Sequence, residues 1–201
     1  VGARAIVLLK NAADTLPLSA AVRRLAVIGP LADAPAEMRG PWWAAADAHG
    51  QVSVVAGLVG ALPDCQVLHA PGVGIEQGDT AGIPAALALC DGADAIVLCV
   101  GEAAAMSGEA ASRAHLGLPG RQRELAEAVL ARARAGSIPV IAVLFCGRAL
   151  IVPWLIERAD AVLAAWFLGS EAGNAVADVL TGAVSPSGRT PVSWPRSMGQ
   201  V

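Results

Sequence analysis

Apolar residues occur in short blocks separated by glycine, proline and charge, and the blocks switch between two spacings. Ala5-Ile6-Val7-Leu8-Leu9 is a first apolar run, closed by Lys10-Asn11. Leu25-Ala26-Val27-Ile28 reads as a core strand, because the Gly29-Pro30 that follows ends a ladder and opens a turn. Positions 54–62 and 83–90 carry apolar residues at helical spacing, and 65–69 reads as a second strand. Asp94 opens an unbroken run, Ala95 to Val100, that predicts a strand buried on both faces. The clearest helix spans 120–135, with Leu125, Val129 and Ala133 on one side and Arg/Glu on the other. Buried strands at 139–145 and 161–166 follow, then a helix over 171–180. The tail from Ser185 to Pro195 holds too much proline for a central strand.

Alternating strands and helices predict an α/β fold: an open, mostly parallel β-sheet with helices on both faces, a three-layer α/β/α sandwich. No repeat, linker or low-complexity tract interrupts the pattern, and a single domain over 1–201 is the economical reading. Composition agrees. The chain is 55% hydrophobic, much of it alanine and valine, only 15% charged, and has no tyrosine. A net charge of −3 without a Lys/Arg cluster argues against nucleic acid as a partner, since phosphates need several cations on one face. No apolar stretch reaches the eighteen or so residues that span a bilayer, so no membrane insertion is expected.

Cofactor and metal signatures fail one by one. Gly72-Val73-Gly74-Ile75-Glu76-Gln77-Gly78 has one residue too many for G-x-G-x-x-G, and no Walker-A sequence occurs, so a flavodoxin-like nucleotide-binding reading rests on fold alone. Gly169-Ser170-Glu171-Ala172-Gly173 sets its serine in the wrong place for a nucleophile elbow. Cys65, Cys90, Cys99 and Cys146 form no C-x-x-C pair and read as buried thiols. His49, His69 and His115 lack metal-ligand spacing. The expectation is no cofactor and no metal.

Two loops carry candidate chemistry. In parallel sheets ligands gather at the carboxyl ends of the strands, and the long segment 101–119 leaves from such an end with Glu102, Glu109, Arg113 and His115. Such a loop is either a solvated surface or the seat of a general acid/base, which needs a carboxyl tuned by its surroundings and a nearby cation to orient it. Arg39-Gly40-Pro41-Trp42-Trp43 follows the first core strand. Tandem tryptophans in a Gly/Pro loop either stack on sugar rings or pack against a neighbouring element or domain.

Taken together, these residues resemble the C-terminal α/β domain of family 3 glycoside hydrolases, of the bacterial periplasmic β-glucosidase type. Ile6-Val7-Leu8-Leu9-Lys10-Asn11 with Leu16-Pro17-Leu18 looks like the opening of that domain, and Val27-Ile28-Gly29-Pro30-Leu31-Ala32-Asp33 like its first strand and turn. Val100-Gly101-Glu102-Ala103, Gly108-Glu109-Ala110-Ala111-Ser112-Arg113 and Leu116-Gly117-Leu118-Pro119 are similar to its acid/base loop, though Ala-Ala-Ser stands where many relatives have Gly-Tyr-Asp. Ala165-Trp166-Phe167-Leu168-Gly169, Glu171-Ala172-Gly173-Asn174-Ala175 and Pro186-Ser187-Gly188-Arg189-Thr190-Pro191 resemble its closing segments. The resemblance covers nearly the whole chain.

It implies a retaining, exo-acting β-glucosidase built from two domains, acting on a β-glucoside or oligosaccharide substrate. An N-terminal (β/α)8 barrel outside this chain would supply an aspartate nucleophile, and this domain the acid/base. The resemblance points to Glu109 as acid/base, with Glu102 the competitor and a support for the loop's shape. Trp42 matches a tryptophan that flanks the leaving-group sugar, and Trp43 and Arg113 are further expected substrate contacts. A periplasmic or secreted location is implied in the same way. The rival expectation is a non-catalytic carbohydrate-binding or protein-interaction module.

Overall fold

The computed structural model describes residues 1–43 and 50–201. Among these residues six strands form one sheet in the order β1-β6-β5-β4-β2-β3. They are β1 (Val7–Asn11), β2 (Arg24–Ile28), β3 (Gln66–Ala70), β4 (Ala95–Gly101), β5 (Val140–Phe145) and β6 (Ala161–Ala164). β2 pairs in parallel with both β3 and β4, β4 with β5, and β5 with β6, while β1 runs antiparallel along the β6 edge. The helices are α1 (Gly2–Ala5), α2 (Val54–Ala61), α3 (Ile83–Cys90), α4 (Gln122–Gly136), α5 (Pro153–Arg158) and α6 (Ala172–Thr181).

Side chains alternate across the pleat, so each strand feeds two cores. Leu25, Val27, Val97, Cys99, Ile141, Val143 and Phe145 point to one face, where Val54 and Leu58 of α2 and Val176, Val179 and Leu180 of α6 cover them. Ala26, Ile28, Ile96, Leu98, Ala142 and Leu144 point to the other, against Ala86 of α3, Leu125 and Val129 of α4 and Leu155 of α5. β4 and β5 are buried at every position. Burial on both faces is why these strands read as unbroken apolar runs. The sandwich expected from the alternating pattern is the one observed.

Two differences have simple causes. The short α5 lies between β5 and β6 with Pro153 at its first turn, and six residues are too few for periodicity to register in sequence. The run 161–166 stops being a strand at Ala164, because Trp166 turns into left-handed backbone at φ 58°. The pairing of the Ala5–Leu9 run with β6 was likewise not legible, since pairing is a tertiary fact.

Asp94, just ahead of β4, accepts backbone hydrogen bonds from Arg23 (2.7 Å) and Arg24 (2.8 Å) at the mouth of β2. Those two N–H groups, with smaller help from the Arg23 and Arg24 charges, hold its carboxyl below the ordinary aspartate value. A depressed folded value means that the stabilisation is present above the unfolded pKa, near 4, and fades as pH falls through the folded one. Asp94→Asn is therefore expected to lower the urea midpoint at neutral pH. The gap between variant and wild type should close below about pH 4, as followed by circular dichroism.

All four cysteines are free thiols, and Cys90, Cys99 and Cys146 are buried. Burial pushes Cys90 up to about 11 and Cys146 up to about 12, the latter helped by the charge of Glu102, and raises Cys99 as well. A protonated, enclosed thiol is a poor nucleophile. Iodoacetamide at about pH 8 should leave these three unmodified in the native protein and label them after unfolding, read by mass spectrometry.

Candidate active site

Strand order reverses between β2 and β4: from β2 the sheet grows outward to β3, and the chain then returns to lay β4 on the opposite side. The crevice above such a reversal is where open α/β sheets bind ligands. The loops leaving β2 and β4 both rise there, and they carry the side chains expected from sequence. The cavity lined by Thr15, Arg134, Ser137 and Asp160 sits at the opposite, amino end of the strands.

β4 ends on Gly101 at φ 144°, and a Cβ at this position would run into the Phe145 carbonyl, so only glycine allows the approach. The fully buried Gln122, at the start of α4, closes this end. Its Oε1 accepts from Gly101 N–H (2.8 Å), and its Nε2 donates to the carbonyls of Gly101 (2.8 Å) and Ile75 (2.7 Å). The next N–H, that of Glu102, donates to Phe145 O at 2.7 Å. The backbone at Glu102 is thus held from both sides.

Glu102 has no solvent exposure. Oε1 accepts from Arg113 Nη1 at 2.7 Å and lies 3.2 Å from Arg148 Nε. Oε2 accepts from Gly147 N–H (3.1 Å) and Ser107 Oγ (3.3 Å). Both oxygens are thereby engaged, and the carboxylate joins the β4 loop to the turn after β5. Buried ionic groups persist only when paired in this way.

Glu109 is the opposite case. It is exposed, on a tip where Gly108 has φ 101° and Ala110 φ 59°, and no ion pair or hydrogen bond involves its carboxyl among the described residues. Arg113, expected as a substrate contact, donates to Glu102 and to Gly117 O (3.1 Å).

The β2 loop lies against this tip. Met38 is buried in the core, and its carbonyl accepts from Gly169 N–H at 2.9 Å. The Glu37 carboxylate accepts from Ala104 N–H at 2.6 Å. A Cβ built on Gly108 would lie 2.9 Å from Pro41 Cβ and 3.7 Å from Trp42 Cε2, so the Trp42 ring adjoins the residue preceding Glu109. Trp42 is 75% exposed and Trp43 48%, with the Arg39 guanidinium 3.8 Å above the Trp43 ring. An exposed indole adjoining a tip that bears an exposed carboxylate offers a surface for an apolar ring face, and the carboxylate a group able to exchange a proton. His49, one of the histidines named above, lies outside the described residues.

Sequence reasoning missed Arg148, Gln122, Ser107 and Gly147. Gln122 left a signal: it sits three residues before Leu125 on the apolar stripe of α4, where a polar side chain must have buried partners. Arg148 left a weaker one, a cation directly beyond a buried strand. Among the described residues no three His, Cys, Asp or Glu come together to hold a metal, and no helix is long and apolar enough to cross a membrane.

Comparison with known proteins gives a consistent answer. Residues 6–201 match the family described as the glycosyl hydrolase family 3 C-terminal domain. The periplasmic beta-glucosidase of Salmonella typhimurium is 38% identical over 222 residues, covering 100% of this chain and 28% of that protein. The beta-xylosidase of Formosa agariphila is 36% identical over 204 residues, covering 98% and 28% respectively. The crystal structure of a beta-glucosidase from Listeria innocua in complex with isofagomine superposes with a TM-score of 0.89 at 34% identity, over 100% of this chain and 27% of that one. The chain therefore spans little more than a quarter of the length of these relatives.

Glu102→Gln would leave two guanidiniums facing an amide that can neutralise neither. Removing one partner of a buried ion pair costs about 3 kcal/mol or more, and partial exposure of Arg113 (17%) and Arg148 (25%) reduces this to about 2 kcal/mol. Urea denaturation of the variant should show a loss of that order.

Proposed function

Because this chain belongs to glycosyl hydrolase family 3, as its C-terminal domain, we propose that it is the second domain of a retaining, exo-acting β-glucosidase that removes terminal β-D-glucosyl residues. The observation that carries the reading is Glu109: a free carboxylate on a tip whose base is locked by buried ion pairs, beside the exposed Trp42. Glu109 is the general acid/base. It protonates the glycosidic oxygen as the leaving group departs, then takes a proton from the water that releases the glycosyl intermediate. Glu102 is not available for that work. Both of its oxygens are engaged and it has no path to solvent, so its task is to shape the loop.

Retaining hydrolysis needs a second carboxyl about 5–5.5 Å from the first, on the other side of the sugar. We assign it to an aspartate on a (β/α)8 barrel elsewhere in the complete protein, a region consistent with the greater length of the relatives. That barrel is the partner of this chain, and its docking excludes water from the Glu109 tip. It also binds most of the cleaved sugar, so it decides between a glucosyl and a xylosyl residue; relatives named for each exist. Trp42 stacks on the leaving-group sugar, Trp43 backs it, and Arg113 acts by holding the loop. Proton transfer and glycosyl transfer require neither metal nor organic cofactor. The periplasmic relative supports a periplasmic or secreted location.

The test is complementation: this chain, mixed with the separately expressed barrel, is assayed on an aryl β-glucoside. Neither piece alone should turn over substrate, and the mixture should. Glu109→Gln should lower kcat/KM of the complete enzyme by about 10²- to 10⁴-fold, the usual contribution of a general acid. Robust hydrolysis by this chain alone would refute the divided site, and a stable but inactive complex would favour a binding module.

A further inference from the structure

We propose that Arg148 is a positioning residue for the acid/base, a role that rests on the assignment of Glu109 above. Arg148 comes from the turn after β5, not from the loop that bears Glu109. Its Nη2 donates to Met106 O (2.5 Å) and to Ala111 O (3.0 Å), with Ser107 Oγ at 3.4 Å. Met106 and Ala111 are the two sides of the tip, so one guanidinium nitrogen closes the turn with Glu109 at its summit. The Nε end of the same group faces Glu102 Oε1 at 3.2 Å, which anchors it to the end of β4.

The tip needs such a clasp. Gly108 and Ala110, on either side of Glu109, both have left-handed backbone, and for an alanine that conformation is unfavourable unless the surroundings impose it. The local backbone bond is weak: Ala111 N–H reaches Gly108 O at 3.4 Å. Ser107 is buried and returns to Glu102, so the near side of the tip is tied to the same carboxylate. A planar fork can bond two carbonyls from one nitrogen while its charge rests against a carboxylate, whereas an ammonium on a flexible stem cannot hold that geometry. Loss of the clasp frees the Glu109 carboxyl to move relative to the glycosidic oxygen. Displacement of about 1 Å can reduce a proton-transfer step up to 10²-fold.

The experiment uses the complete protein with Arg148→Lys, Arg148→Gln and Glu109→Gln. Two glucosides with the same sugar are compared: 2,4-dinitrophenyl β-glucoside, whose leaving group departs with little protonic help, and an alkyl β-glucoside, which needs the acid. The readout is the ratio of their kcat/KM values, which reports the first step and does not depend on how much enzyme is folded. Hydrogen exchange over 106–111 is measured alongside.

Glu109→Gln should lower the alkyl rate far more than the dinitrophenyl rate. Both Arg148 variants should shift the ratio the same way, by about tenfold or more, with faster exchange over 106–111. If Glu109→Gln discriminates but the Arg148 variants leave the ratio unchanged, the positioning role is overturned and the acid/base assignment stands. If Glu109→Gln loses both substrates equally, the acid/base assignment itself fails and the positioning role falls with it.

Discussion

A carboxylate with no exposure to water must be neutralised where it stands, and the Glu102 side chain meets that demand with groups from two separate loops. Arg113 returns from farther along its own segment, and Arg148 and the Gly147 amide come from the turn after β5. Neutralising one charge therefore fixes the relative positions of the β4 and β5 ends. The shape of the 101–119 segment depends on it, since the same guanidiniums also hold the carbonyls of Met106, Ala111 and Gly117.

The sheet makes this possible by delivering its strand ends to one edge with little freedom left. β4 and β5 are buried throughout, and the Gln122 amide completes the hydrogen bonding of Gly101 where the ladder ends. A rigid floor, a buried ionic tie and a short exposed tip form a graded series from immobile to solvent-facing. Catalytic groups are well served by such support, because positional accuracy is inherited from packed elements rather than from the loop itself.

Glu102 and Glu109 are close in the chain and have opposite surroundings. One is enclosed and saturated with donors; the other is open beside Trp42. Only one of them is therefore open to solvent and to a ligand. The β2 loop contributes the apolar surface, with Glu37 bonded to Ala104 and Met38 sunk in the core to keep Trp42 alongside the tip.

The sequence by itself determined the layer architecture, because burial on two faces requires continuous apolar runs such as Ala95–Val100 and a one-sided stripe such as Leu125, Val129 and Ala133. It also located both candidate loops, since Gly29-Pro30 and Gly101 mark where strands end, and it placed Glu102, Glu109, Trp42, Trp43 and Arg113 on them. What it could not determine was which carboxylate is sealed and which is free. That depends on Arg148, distant in the chain and adjacent only because β4 and β5 pair in parallel. The antiparallel β1 edge was hidden for the same reason, whereas α5 is simply too short for periodicity to register. Periodicity reports what a segment buries, whereas partners across a sheet are chosen by the whole chain at once.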